Sequence, residues 1–409
     1  MRILVVCPHF EPDVAPTGVV MSEIVHRLAD AGHIVHVVTS LPWYEHHGIE
    51  PEWKGSPIQR EVTEWGRITR VHPFPTDKTK IWARAAAFFG FTSLVGIASV
   101  FERSRPDAVL AMSPPPTLGL AGWIAARVRR IPVVYNVQDI FPDVAVEVGA
   151  LTNPRIIRFS KWLERFTYRR CDAVTVLSED LRTNVESKIG DGATPVRVIP
   201  NFVDTERIRP AERANSYRRE FGLGDRTVVM YAGNVGFSQP LGLMIKAARA
   251  LKDREDVVFV INGGGSGRLA LQSQAEGLAN VKFVDFQPVD RLPELLAAAD
   301  VHVVALRRGL ARSSVPSKLY SILASARPVL ASIDPDTEVA RVIDSSKSGV
   351  AVPPEDQAAF DAAILDLIDS PQRRSRMGDN GRAFVEEWVS PAGVAAAYVS
   401  LFKELRNQR

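Results

Sequence analysis

Short runs of apolar, β-branched residues recur along this chain with helix-length stretches between them, and that alternation constrains the fold more than any other feature. Strands that are apolar at consecutive positions are buried on both faces, as in a parallel sheet covered by helices. One series of such runs occupies residues 3–7, 34–39, 68–71, 108–112, 133–137, 173–177 and 196–199. A second occupies residues 228–232, 257–261, 281–286, 301–306, 328–331 and 350–352. Two series predict two doubly wound α/β domains. The segment IPNFVDTERIRP interrupts the pattern between them with two prolines and an asparagine, which places the seam near residues 201–210. The expected division is 1–203 for the first domain and 204–390 for the second. Residues 391–409 read as an amphipathic helix with a basic last turn, which helix termini favour.

A length of 409 residues suits two domains, each large enough to bury its own core. The balance of 50 Lys plus Arg against 47 Asp plus Glu, net +3, argues against a bulk electrostatic nucleic-acid binder. Two cysteines cannot build a disulfide framework, so Cys7 and Cys171 read as buried thiols of a reducing compartment. The N-terminal apolar run breaks at Pro8 and continues into Glu11 and Asp13, unlike a signal peptide. The expected location is cytoplasmic.

Residues 85–101, AAAFFGFTSLVGIASVF, carry no charge over 17 positions and follow Lys78, Lys80 and Arg84. A spanning helix needs about 20 apolar residues, so this segment is too short to cross a bilayer. It reads either as a core helix or as a helix lying on an anionic membrane surface, peripheral at the inner face of the plasma membrane.

In doubly wound sheets, ligands bind beyond the carboxyl ends of the strands. After the first strand, HFEPDVAPTG leads to Gly18 at a helix start, which suits either an anion approaching backbone donors or a tight turn. In the second series, MYAGNVGFSQPLG places Gly233, Asn234, Gly236 and Gln239 after a strand. NGGGSGRLA then offers Gly263, Gly264, Gly265 and Gly267, with Asp285 20 residues beyond Gly265. A dinucleotide fingerprint would need its third glycine at position 268, which is Arg268, so a nicotinamide cofactor is a minority reading. Finally, Arg307, Arg308, Arg312 and Lys318 put four cations in 12 positions. Lys318 falls in the first turn of a predicted helix, where the dipole disfavours a cation unless an anion faces it. Asp139 and Asp143 follow the strand 133–137, where Asp139 could orient a hydroxyl or cap a turn. His9 also follows a strand. No His, Cys or carboxylate cluster has metal-ligand spacing, and no metal is expected.

At these residues the sequence resembles the retaining, family-four glycosyltransferases of the GT-B fold, over essentially the whole chain. LVVCPHFEPDVAPTG is similar to the family's N-terminal donor loop, LERFTYRRCDAVTVLSE to the close of its first domain, and VIPNFVD to its interdomain connection. YAGNVGFSQ and VPSKLYSILASARPVLAS resemble a branch that builds capsule, O-antigen and other surface polysaccharides, acetamido-sugar transferases included. The resemblance implies two Rossmann-like domains facing a cleft. A nucleotide diphosphate sugar, expected to be UDP-linked, would bind mainly to the second domain, and a lipid-linked or other cell-envelope glycan acceptor to the first. It implies no cofactor beyond this donor. Developing charge on the diphosphate would be stabilised by Gly18 backbone donors, Asn234, Gln239 and Lys318. Gly233, Gly263, Gly264, Ser313, Ser314 and Ser317 would line the donor, with Phe286 to Val289 near the base. Asp139 would act on the acceptor side.

Two departures from the family pattern matter. Many relatives place Arg and Lys where this chain has Asn234 and Gln239, which shifts the cationic role to Lys318 and the nearby arginines. The family's Glu, seven residues, Glu pattern is replaced by Ser313 and Ser321, so Ser321 stands where a Glu normally holds the ribose, with Glu338 a substitute from the next loop. A sugar-nucleotide-binding protein with a degraded site and a nucleotide-sugar epimerase are the alternative readings.

Overall fold

The apolar runs form the strands of two sheets in a computed structural model, which describes residues 1–44, 48–49, 51–74, 81–147, 149, 151–190, 194–310, 316, 318–388 and 390–409. These residues divide into one unit of Met1–Asn201 with Pro391–Arg409 and a second of Phe202–Ser390.

The first unit carries β1 (Arg2–Val6), β2 (Ile34–Ser40), β3 (Ile58–Thr63), β4 (Gly66–Val71), β5 (Ala108–Met112), β6 (Val133–Val137), β7 (Ala173–Val176) and β8 (Val196–Val198). Its helices are α1 (Pro16–Asp30), α2 (Ile81–Val100), α3 (Thr117–Arg129), α4 (Asp143–Glu147), α5 (Pro154–Arg170) and α6 (Glu179–Ile189). The sheet order is β3-β4-β2-β1-β5-β6-β7-β8, parallel except for the β3–β4 hairpin. The sequence reading passed over β3. Its residues IQREVT alternate between exposed and half-buried at the sheet edge, so no apolar run marks it.

In the second unit lie β9 (Thr227–Ala232), β10 (Val257–Asn262), β11 (Val281–Val284), β12 (Val301–Ala305), β13 (Val329–Ser332) and β14 (Gly349–Val352). The helices between and around them are α7 (Ser216–Glu220), α8 (Gly242–Ala250), α9 (Arg268–Gln274), α10 (Leu292–Ala298), α11 (Lys318–Ala324), α12 (Glu338–Ser346), α13 (Gln357–Asp369) and α14 (Pro371–Trp388). The order β11-β10-β9-β12-β13-β14 is parallel throughout. β9, β10 and β12 are almost wholly buried, as consecutive apolar positions require.

The chain ends in α15 (Pro391–Asn407), which packs on α1 of the first unit. Tyr398 on α15 is 1% exposed, and its hydroxyl accepts from Asn136 Nδ2 at 2.8 Å and lies 3.3 Å from Thr175 Oγ1. Asn136 Oδ1 in turn accepts from Gln138, whose carbonyl accepts from Asn201 at 2.9 Å. A buried polar chain therefore joins β6, β7 and the end of the unit to its last helix. Right-handed crossovers put α1 and α15 on one face of this sheet and α2, α3, α5 and α6 on the other.

The uncharged segment at 85–101 lies almost entirely within α2. Phe91, Val95 and Ser99, four residues apart, are buried, whereas Phe88, Phe89, Ile97 and Phe101 are exposed. The core-helix reading therefore holds for one stripe only, because a helix resting on a sheet buries the side facing it. Lys78, Lys80 and the Arg84 side chain lie outside the described residues. No helix among the described residues is long and apolar enough to cross a membrane. Cys7 and Cys171 are buried free thiols, and burial pushes Cys7 up to about 12.

Tyr398→Phe removes one member of the buried polar chain while keeping the ring. It should cost the protein about 1–2 kcal/mol, read as a lower urea midpoint at unchanged slope. An unchanged midpoint would show that the chain does not hold the helix.

Candidate active site

β10 and β11 lie to one side of β9, and β13 lies beyond β12 on the other, so the second sheet reverses its order between β9 and β12. Such a switch point opens a crevice beyond the carboxyl ends of the strands. The register that sets Asn262 beside Ala232 brings the turns after β9 and β10 together at Gly233 and Gly263. Both glycines have φ +134°, and a side chain on Gly263 would overlap the Gly233 carbonyl oxygen. The turns are then laced together: Val235 N donates to Gly264 O at 2.8 Å, and Gly267 N donates to Val235 O at 2.9 Å.

Lys318, the first residue of α11, extends to this point. Its ammonium stands 3.7 Å from the centre of the Tyr231 ring, and a Cβ on Gly233 would lie 2.9 Å from the nitrogen. Gly233 is therefore a spatial requirement of the lysine as well as of the turn. Tyr231 is fixed in its place by a hydroxyl donating to Asn234 O at 2.5 Å. The lysine side chain is half-buried, and burial lowers its pKa from the usual 10.5 to about 7. No carboxylate among the described residues lies within ion-pair distance of it.

The opposite end of the same sheet shows how unusual that is. There, Asp300 takes Arg218 at 2.5 Å, Arg213 at 3.2 Å and the Val228 amide at 2.9 Å. Arg213 and Arg218 at the amino ends of the strands thus have a carboxylate partner, while Lys318 has none among the described residues. Arg307, directly after β12, adds a buried Nε with no hydrogen-bond partner among the described residues, and its amide donates to Ser238 O at 2.9 Å.

The other sequence candidates spread around this point. Asn234 is exposed beside Gly236 and Gly265. Gln239 uses its carbonyl to accept from the Gly236 amide at 3.1 Å, which leaves only its amide nitrogen to donate elsewhere. Phe286 is 61% exposed with its ring edge toward Gly264, and Val289 is half-buried in the next turn. Ser321 sits one helical turn after Lys318, half-buried. Glu338 opens α12 and pairs with Arg341 at 3.1 Å. Ser313, Ser314, Ser317 and Arg312 lie outside the described residues. Asp285, the acidic residue of the dinucleotide reading, pairs with Arg268 at 2.7 Å, and Arg268 also donates to Gly263 O. That carboxylate therefore serves the glycine turn.

In the first unit the corresponding switch point lies between β1 and β5. Gly18 is the third residue of α1, not its opening residue, because Pro16 starts the helix. It is buried, and a Cβ there would meet His9 Cβ at 3.0 Å and Asp13 O at 3.2 Å. The sequence reading missed what stands beside it. His9 Nδ1 lies 2.7 Å from the buried Asp13 carboxylate, with Trp43 stacked on the ring at 5.7 Å and Tyr44 edge-on at 5.4 Å. The spacing of four between His9 and Asp13 was the available signal. Asp139 is half-buried just after β6. Asp143 is bound to Lys188 at 2.6 Å, which also holds Glu164 at 2.8 Å, a structural use. Among the described residues, no three His, Cys, Asp or Glu side chains gather as a metal site would require.

Comparison with known proteins gives this arrangement a context. Residues 17–201 match a family described as "Glycosyl transferase 4-like domain", and residues 214–384 match "Glycosyl transferases group 1". The chain is 27% identical over 387 residues to the putative colanic acid biosynthesis glycosyl transferase WcaI of Escherichia coli, covering 92% of this chain and 94% of that protein. Among solved structures, sucrose-phosphate synthase from Thermosynechococcus elongatus superposes with a TM-score of 0.77 at 17% identity, covering 100% of both chains. Anabaena HepE in complex with UDP gives 0.71 at 15% identity, covering 99% of this chain and 100% of that one.

An ammonium held without a counter-charge lowers fold stability at neutral pH, and this gives a test. The folded pKa of Lys318 lies below the unfolded one, so the cost is full below about 7 and vanishes above 10.5. Lys318→Met should therefore be more stable than the wild type by about 1–3 kcal/mol at pH 7. The gap should narrow as pH rises, as followed by thermal melts across pH. A methionine variant of equal or lower stability at pH 7 would contradict the environment described.

Proposed function

The chain is a GT-B glycosyltransferase whose halves belong to the glycosyl transferase 4-like and group 1 families, and on that premise we propose the following reaction. It moves a hexose or acetamidohexose from a nucleoside diphosphate sugar, with retention, to a lipid-linked or other cell-envelope glycan acceptor. The observation that carries the donor half of this reading is the Lys318 cation, without a carboxylate partner among the described residues, at the switch point of the second sheet.

As the bond from the sugar C1 to the diphosphate oxygen breaks, negative charge grows on that oxygen. A group that meets this charge stabilises the transition state more than the ground state. Lys318, with Arg307 beside the same crevice, supplies it. Binding of the dianionic donor raises the lysine pKa and keeps it protonated. The acceptor hydroxyl oxygen forms the new bond to C1 from the face the diphosphate leaves, and its proton passes to the departing phosphate oxygen. Within the first unit, Asp139 is assigned to the acceptor hydroxyl and Gly18 to backbone donors at that unit's own switch point. Phe286 offers a ring to the base, Gly233, Gly263 and Gly264 a backbone surface to the phosphates, and Asn234 and Gln239 amide donors. Ser321 and Glu338 serve the ribose, and Ser313, Ser314 and Ser317 belong to the same donor site. UDP bound to HepE, which shares the fold, supports uridine as the base. The name of WcaI supports a surface polysaccharide as the product. No resident metal enters the reaction.

In a thermal-shift panel of UDP, GDP, ADP, CMP and dTDP, UDP should give the largest shift, about 2.7 kcal/mol at a hundred times Kd. A larger shift with another base would move the donor assignment. UDP affinity should weaken above pH 7 by up to roughly tenfold per pH unit, since binding takes up a proton at Lys318. With an active donor and acceptor pair, Lys318→Ala should lower turnover by about 10²–10³, whereas Lys347→Ala, at an exposed helix end, leaves it unchanged. Asp139→Asn should slow transfer, and EDTA should not. Wild-type turnover in the Lys318 variant would remove the diphosphate assignment. Tight UDP binding without acceptor-dependent UDP release would favour a binding protein.

A further inference from the structure

α2, α3 and α5 lie side by side on one face of the first sheet and leave apolar side chains in solvent. Phe89 and Phe101 are 75% and 76% exposed, Val128 on α3 61%, and Phe159 and Trp162 on α5 59% and 51%. Single exposed apolar residues are ordinary, but a connected set marks a contact surface. The aromatic residues of α5 and α3 are connected. Phe159 stacks on Trp162 at 5.8 Å and Trp162 on Phe166 at 5.4 Å, and Phe166 meets Trp123 of α3 edge-on at 6.2 Å. Arg129 at the end of α3 donates to Val100 O at 2.8 Å, which brings Phe101 beside the last turn of α3.

Among the described residues, the exposed charges carried by α2, α3 and α5 have one sign. Asn153 caps α5, accepting from the Arg155 amide at 3.0 Å, and fixes the rotation of a helix that turns Arg158, Lys161 and Arg165 outward beside the aromatic row. None of the three pairs with a carboxylate among the described residues. The acid of the same helix, Glu164, is buried and bound to Lys188 and Tyr168. On α3, Arg127 and Arg130 are likewise exposed.

We propose that this face, centred on α5, docks the protein on an anionic lipid bilayer, with Phe159 and Trp162 entering the headgroup region and the cations meeting lipid phosphates. Aromatic residues flanked by Lys and Arg are what an interfacial helix needs, and Trp is suited to a boundary that is apolar on one side and wet on the other. A second copy of the chain is a poor occupant, because a two-fold contact would place this cationic face against itself. The inference goes beyond the transfer reaction and does not depend on it.

The test is sedimentation of the full chain with vesicles of phosphatidylcholine alone or of phosphatidylcholine with phosphatidylglycerol. The wild type should bind only the anionic vesicles and leave them as salt rises. Phe159→Ala with Trp162→Ala should lower the bound fraction roughly tenfold or more, and Arg158→Glu, Lys161→Glu and Arg165→Glu together should abolish binding. Both variants should keep the wild-type UDP thermal shift, which shows folding and leaves the donor reading intact. Wild type remaining in the supernatant at low salt, variants that bind as well as the wild type, or a dimer in solution that these substitutions dissociate would each overturn the proposal.

Discussion

A lysine ammonium resting on an aromatic ring without a carboxylate partner is costly to keep in a folded protein, and the described residues of the second unit are arranged around one. Gly233 has no side chain because the Lys318 nitrogen occupies that space, and Gly263 has none because the Gly233 carbonyl does. Tyr231 lies flat beneath the charge, pinned by its own hydrogen bond to the turn it supports. The turns after β9 and β10 and the start of α11 are thus mutually dependent through one cation and two glycines. At the amino ends of the same strands Arg213 and Arg218 share the Asp300 carboxylate.

The first unit follows a different logic. Its sheet is closed at the back by α1 and α15, with Tyr398 sealing a buried polar chain, while the opposite helices keep aromatic side chains in solvent. The proposed lipid-docking face and the proposed donor site lie on separate units of the chain.

Much of this was legible before any coordinates. The strands announced themselves because parallel strands buried on both faces need uninterrupted apolar runs, and Lys318 because a cation in a first helical turn is out of place. Tyr231 was not legible, since a tyrosine at the end of an apolar run looks like core until the register shows it beneath a lysine. The pairing of Gly233 with Gly263 also depends on register, which sequence spacing does not state. β3 was missed because an exposed edge strand has no apolar signature. The aromatic row of α5 was hidden because Phe159, Trp162 and Phe166, at spacings of three and four, form the same pattern as a buried stripe, and only burial tells the two apart.

The central claim is that Lys318 titrates near neutrality in the free protein and is captured as a cation by a diphosphate. The direct measurement is NMR of ¹³Cε-labelled lysines across pH, with the Lys318 signal assigned by its loss in Lys318→Met. A midpoint near 7 that moves upward when UDP is added is the predicted result. A midpoint near 10.5 that UDP leaves unmoved would contradict it.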